Sequence, residues 1–303
     1  MTNIAEDIAK RAMFEEEFKT IVETKNVFSE VATKLVASAK SIVSPFTTVG
    51  VAKAHTQECV VPISTLTVSN DELIIDRLLG NAITDCDEEL SYAKFDITAM
   101  IRADLYASVM KKANLLAVSD FVAEATVVAG TKDLSTPDLV RDFLVGIAAD
   151  NAQIVGLRSS VDGAMVRRAP RHGQAFLACG RTAYVNIVSK IAGVVSLSSL
   201  KSVEGQWIET PYGVFVINLG DSADNVKRLI WGTAGVPVMG YREDQVKVDM
   251  GEYRSTTLAT ATDLDIVATD PLLTKTWFMS AQTKAKNTIF SYNQALVSTQ
   301  LML

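Results

Sequence analysis

The chain is 303 residues long, 48% hydrophobic and 21% charged, with a formal net charge of −6. These values describe a globular chain with a sizeable core, in one large or two modest domains, and exclude extended disorder. The negative balance also excludes general nucleic-acid binding through phosphate neutralisation.

The N-terminus, MTNIAEDIAKRAMFEEEF, carries acids throughout and lacks the apolar run of a secretory leader. No apolar stretch reaches the roughly 18 residues of a membrane span, so no membrane partner is expected. The three cysteines, Cys59, Cys86 and Cys179, are scattered and odd in number, which fits reduced thiols in a cytoplasm.

Ile4, Ile8, Phe14, Phe18 and Ile21 recur at helical intervals between acids and lysines, and Phe28, Val31 and Leu35 continue the series past Asn26. The spacing predicts an amphipathic arm over residues 1–44 that faces a protein partner. An interfacial membrane helix would carry basic residues on its polar face. Ser44-Pro45 closes the helical region, since proline disfavours helix in the residue before it. The text then changes to FTTVGVAKAHTQECVVPISTLTVSNDELII, rich in Val, Thr and Ile, with turn signals at Gly50 and at Ser69-Asn70-Asp71. This predicts a two-stranded projection, within an extended loop over residues 45–83. A hairpin with no third strand needs a packing partner, so Phe46, Val49 and His55 are candidates for contact with a neighbouring subunit.

The stretch TDCDEELSYAKFD crowds Asp85, Asp87, Glu88 and Glu89 ahead of Asp96. Thr84-Asp85 offers an N-cap and Glu88 the capping-box partner, and acids in a first helical turn suit the helix dipole. Tyr92, Phe95, Ala99, Arg102, Tyr106, Val109 and Ala113 then form one seam, which predicts a helix from Asp87 to Leu115, about 40 Å long. Arg102 and Asp104 have no charge partner within that helix, so each is either solvated or paired with another element or another subunit. Beyond it, Thr136-Pro137-Asp138 starts a second helix. RHGQAFLACG reads as a buried strand, RTAYVNIVSKIAG as a short helix, and QWIETPYGVFVINLG as strand, turn and strand. Further strands follow in KRLIWGTAGVPVMGYREDQVKVDM and DIVATDPLLTKTWFMSA, and residues 283–303 form a polar-apolar tail of undetermined form.

Catalytic patterns are absent from this sequence. The acid cluster is in the ordinary place for helix-start carboxylates, and His55 and His172 stand far apart with no zinc spacing. Ser108 to Lys111 matches Ser-x-x-Lys without its supporting motifs, and no phosphate loop or Gly-x-Ser-x-Gly elbow occurs. No cofactor is expected. RRAPRHG concentrates Arg167, Arg168 and Arg171, a loop able to meet an anion, though solvation or interface pairing is the commoner fate of such clusters.

The order of elements resembles the major capsid proteins of tailed bacteriophages, which have the Hong Kong 97 fold. LTVSNDELIIDRLLGNAITDCDEELSYAKFD is similar to the returning strand of that family's extended loop and the start of its spine helix. TPDLVRDFLVGIAADN with RHGQAFLACGRTAYVNIVSKI looks like its axial helix, strand and short helix. VEGQWIETPYGVFVINLG and LIWGTAGVPVMGYREDQVKVDM resemble its strand-turn-strand and later sheet segments. The resemblance runs from Leu66 to Ala281. Gly180 stands where many relatives have proline, and residues 1–40 and the last part of the tail have no clear counterpart.

The resemblance implies an α+β Hong Kong 97-type capsid fold. Its parts are an arm (1–44), an extended β-loop (45–83), a peripheral domain with the spine helix (84–130 and 241–303) and an axial domain (131–240). It implies a non-enzymatic head protein whose hexamers and pentamers close around double-stranded DNA held by weak contact, with scaffolding and portal proteins as partners. The expected location is the virion capsid, assembled in the host cytoplasm. An encapsulin-type nanocompartment shell shares the fold and is the nearest alternative; a soluble α+β metabolic enzyme is the more distant one.

Overall fold

The computed structural model describes residues 4–37, 39–48, 67–86, 97–157, 169–192, 201–203, 207–220, 226–254 and 275–303. Helix α1 (Ile4–Thr24) leads into β1 (Thr33–Ala37), then β2 (Ser41–Thr48), β3 (Thr67–Ile74) and β4 (Leu78–Cys86). The long helix α2 (Ile97–Glu124) is followed by β5 (Thr126–Lys132), α3 (Pro137–Leu157), β6 (Ala175–Cys179) and α4 (Arg181–Ala192). Short strands β7 (Lys201–Val203), β8 (Trp207–Glu209), β9 (Val214–Asn218) and β10 (Arg228–Thr233) precede two long ones, β11 (Val238–Arg254) and β12 (Lys275–Thr288). A 3-10 turn at Ser291–Leu296 and β13 (Val297–Met302) end the chain. The class is α+β, as expected.

The strands sort into a four-stranded sheet (β1-β11-β12-β4), a seven-stranded sheet (β5-β13-β10-β6-β9-β8-β7) and a separate β2-β3 pair. The centre of the large sheet follows from composition. Every residue of β6 is buried, and β9 reads Val-Phe-Val-Ile before Asn218. Such continuous apolar runs belong to parallel strands covered on both faces, and β6 and β9 do pair in parallel. One cover is α3, which starts as read: Thr136 Oγ1 accepts from the Leu139 amide at 3.3 Å. Its Val140, Phe143, Leu144 and Ile147 pack with Ile187 of α4 and Leu177 of β6.

Helix α2 has 28 residues, about 42 Å at ~1.5 Å per residue. Its first half puts Leu105, Tyr106, Val109 and Met110 against Phe14 and Phe18 of α1 and Met279 and Ala281 of β12. Its second half puts Ala117, Val118 and Phe121 into a different core with Phe28, Phe176, Phe215 and Ile230. One helix therefore serves both sheets.

Several sequence expectations need correction. Thr84 and Asp85 do not cap a helix: they lie in β4, opposite Phe278 and Trp277 of β12. Helix α2 ends at Glu124, well beyond Leu115; Asp87, Glu88, Glu89 and Asp96 lie outside the described residues. The arm helix stops at Thr24. There the side chain of Asn26 accepts from the Phe28 amide at 2.9 Å, a local bond that competes with helix continuation. Phe28 and Val31 are buried in the turn that follows and Leu35 in β1, so the apolar series was right about burial and wrong about helix. Pro45 is inside β2, opposite Asn70. A strand with a neighbour on one side only tolerates it. The tail, of undetermined form in the sequence, returns as β13 between β5 and β10 in the seven-stranded sheet.

The turn after α1 is stitched to the large sheet through residues 233–237. Gly235 donates its amide to Val31 O at 2.6 Å, and Thr33 Oγ1 donates to Gly235 O at 2.7 Å. Gly235 sits at φ +93°, and a Cβ there would overlap the ring of His172. Gly235→Ala therefore combines left-handed strain with a steric clash, and is expected to destabilise the chain by about 2–4 kcal/mol. Urea unfolding of the unassembled protein measures this; a loss below about 0.5 kcal/mol, the range of neutral surface changes, would contradict the stitch.

Candidate functional site

Among the described residues no group of three or more His, Cys, Asp and Glu is placed to hold a metal ion. No helix there is long and apolar enough to cross a membrane. Ser108 of the Ser-x-x-Lys match donates to Leu105 O at 2.8 Å and accepts from Asn81 Nδ2 at 2.7 Å, both structural contacts. Burial pushes the Cys179 thiol and the Tyr106 hydroxyl upward, and lifts Tyr184 to about 12. Each of these shifts favours the neutral form, opposite to what a nucleophile needs.

The geometry points instead to surfaces. In the described residues β2 and β3 pair with each other alone, from Ser41 opposite Ile74 to Thr48 opposite Thr67. Large apolar side chains near this hairpin face solvent: Val43 is 54% exposed, Ile74 40% and Leu78 56%. A two-stranded ribbon is marginal in water without something to pack on. Its root is nevertheless fixed. Leu73 and Ile75 are buried with Leu35, Val238 and Phe290. Gly240 permits their approach, since a Cβ there would stand 2.6 Å from Leu73 Cδ2. Phe46 is in β2 opposite Ser69; Val49 and His55 lie outside the described residues.

Arg102 finds its partner within the chain. Its Nε lies 3.2 Å from Glu17 Oε2, and its guanidinium carbon is 4.4 Å from the centre of the Phe14 ring. Tyr106, one turn on, donates to Phe14 O at 3.1 Å and stacks on Phe18 with ring centres 4.7 Å apart. Arg102 thus fastens the arm helix to α2 within the chain. Asp104 is exposed.

Arg171 is also committed internally. It lies 3.7 Å from Glu30 and 3.5 Å from Glu209, and donates to Gln174 Oε1 at 3.2 Å. Its guanidinium carbon is 4.0 Å from the Phe215 ring centre and 4.8 Å from that of Trp207. Two carboxylates and two aromatic faces thus share this guanidinium within the chain, and an external anion would have to compete with them for it. Arg167 and Arg168 lie outside the described residues.

Two contacts have no local signal in the sequence. Arg77 Nη1 reaches both oxygens of Asp120 at 2.7 and 2.8 Å. Glu124, at the end of α2, accepts from Thr288 Oγ1 at 2.8 Å and from the Ile289 amide. Both carboxylates lie past Leu115, the predicted end of the helix, and their partners stand far along the chain.

No protein-family model matches the chain, and no curated protein does. Solved structures do match. The capsid structure of the cyanophage P-SCSP1u is similar at a TM-score of 0.56 and 10% identity, covering 92% of this chain and 87% of that one. A structure from Mycobacterium phage Che8 is similar at 0.55 and 8%, covering 87% and 85%. A virus-like particle from Pyrococcus furiosus is similar at 0.54 and 9%, covering 95% and 98%. At such identities the likeness concerns the fold. The chain has the capsid-shell fold of tailed-phage head proteins, the Hong Kong 97 fold.

Because Arg171 joins the post-arm turn to β8 and β9, Arg171→Ala is expected to lower stability by about 2–4 kcal/mol, leaving Glu30 and Glu209 without their shared cation. Chemical denaturation is the measurement. Unchanged stability together with lost affinity for duplex DNA would restore the loop as an anion site.

Proposed function

We propose that this chain is the major capsid protein of a tailed bacteriophage. Its copies associate as hexamers and pentamers and close into an icosahedral head around double-stranded DNA, with scaffolding and portal proteins assisting in the host cytoplasm. The observation that carries the proposal is a shell-type fold whose β2-β3 hairpin exposes Val43 and Ile74 and has no third strand among the described residues. A neighbouring subunit supplies the missing packing surface. The role is structural, not catalytic. With a net charge of −6 per subunit, the shell holds its DNA by weak contact and engages few phosphates.

The likeness to the Pyrococcus furiosus particle, which covers 98% of that chain, favours one second reading: a nanocompartment shell around protein cargo. The contents of purified particles separate the two.

The hairpin is tested by replacing residues 50–64 with a short Gly-Ser linker and following assembly by sedimentation, scaffolding partner present. The expected product is a folded subunit of unaltered core stability that forms no closed particle. Normal particles would refute the assignment. An insoluble chain would show that the segment belongs to the subunit's own core.

A further inference from the structure

Among the described residues, two contacts of different character tie the hairpin to residues 290–292. The first is apolar and buried: Phe290 packs with Leu35, Leu73, Ile75 and Val238, and Ile42 lies against the group. The second is polar and faces solvent. The Ser291 amide donates to Asp71 Oδ2 at 2.7 Å, and the Ser291 hydroxyl lies 2.9 Å from Oδ1 and 2.7 Å from Oδ2. That hydroxyl carries one proton, so it donates to one oxygen at a time. The next residue, Tyr292, meets Ser44 hydroxyl to hydroxyl at 3.2 Å and stacks on Phe290 with ring centres 5.8 Å apart, nearly parallel.

Ser44 and Asp71 are directly opposite each other in the β2-β3 register. Side chains of such a pair leave the ribbon on the same face. Consecutive residues of the tail therefore grip both strands at one level. A contact to one strand would let the ribbon twist about it; a contact to both fixes its angle.

We propose that Phe290–Tyr292 is a pivot and catch for the hairpin. The buried Phe290 cluster is the pivot. The Asp71–Ser291 and Ser44–Tyr292 contacts are the catch, holding the hairpin at one angle to the four-stranded sheet. The two open at different cost. Solvent-facing hydrogen bonds exchange for bonds to water with a small net loss, whereas withdrawing Phe290 exposes apolar surface. The catch releases first, and the hairpin swings without unfolding its root. Any bearing on shell closure rests on the reading of the hairpin as the arm that reaches a neighbour; the catch itself does not.

Hydrogen exchange on the unassembled full chain tests it, with Asp71→Ala, Ser291→Ala and Tyr292→Phe. Asp71→Ala removes the shared acceptor and is expected to speed exchange about ten-fold or more in residues 41–48 and 67–74. Ser291→Ala keeps the amide bond and gives a smaller increase in the same segments, as does Tyr292→Phe. Strands β11 and β12 and helix α2 keep the protection of the unmodified chain. Hairpin exchange unchanged in all three variants would overturn the proposal. Equal acceleration throughout β11 and β12 would overturn it too, because that pattern is general destabilisation. If Asp71→Ala does not fold, the two milder variants decide. A chain that shows the predicted exchange yet never assembles would keep the catch and sink the shell reading.

Discussion

The arrangement of the whole chain depends on helix α2 passing through two cores. Tyr106 packs in the core under the four-stranded sheet and Phe121 in the core under the seven-stranded sheet. A helix rises ~1.5 Å per residue and resists bending, so these side chains stand about 22 Å apart along a stiff rod. The two sheets therefore cannot change their spacing without pulling apolar side chains out of one core. Polar contacts fix the rod's rotation: Asp120 takes the guanidinium of Arg77, and Glu124 takes Thr288 and the Ile289 amide. Arg102 and Tyr106 bind the arm helix to the other half. A chain built around such a strut resists shear between its two sheets.

The same economy explains what is left outside. The cores are filled by α1, α2, α3 and the two larger sheets, and the β2-β3 ribbon shares only its root with them. A ribbon with Val43 and Ile74 exposed invites association. For a shell subunit, the ribbon is a contact whose partner is supplied by the next copy. The internal pairing of Arg102 and Arg171 commits both guanidinium groups to contacts within the chain.

The parts legible in the sequence were those with local causes. Thr136-Pro137 announced α3, the unbroken apolar run announced β6, and the Pro211-Tyr212-Gly213 turn announced the return from β8 to β9. The existence of a long helix was legible too, with Tyr106, Val109 and Ala113 of its seam buried, but its end was not. The capping-box spacing of Asp85 and Glu88 begins at a strand end, and only pairing with β12 shows which reading holds for Asp85. Likewise Val31 and Leu35 stand four apart, a spacing that suits one helical face and also one strand face; the Asn26 side chain decides by bonding to Phe28. At the candidate surface, paired strands were readable from Val/Thr/Ile content but their bounds were not. Strand β2 begins at Ser41, inside the predicted arm, and Ser69-Asn70-Asp71, read as a turn, is paired within β3. The partners of Arg102, Arg171 and Asp71 lie on distant segments. The folded chain brings Glu17, Glu30, Glu209 and Ser291 to them, and no spacing rule anticipates that.

Electron cryomicroscopy of particles purified from cells that make the chain with its assembly partners tests the central claim most directly. The predicted image is a closed icosahedral shell of hexamers and pentamers with layered DNA density inside and the β2-β3 ribbon lying on a neighbouring subunit. A chain that remains a compact 32.7 kDa monomer when those partners are present would contradict it.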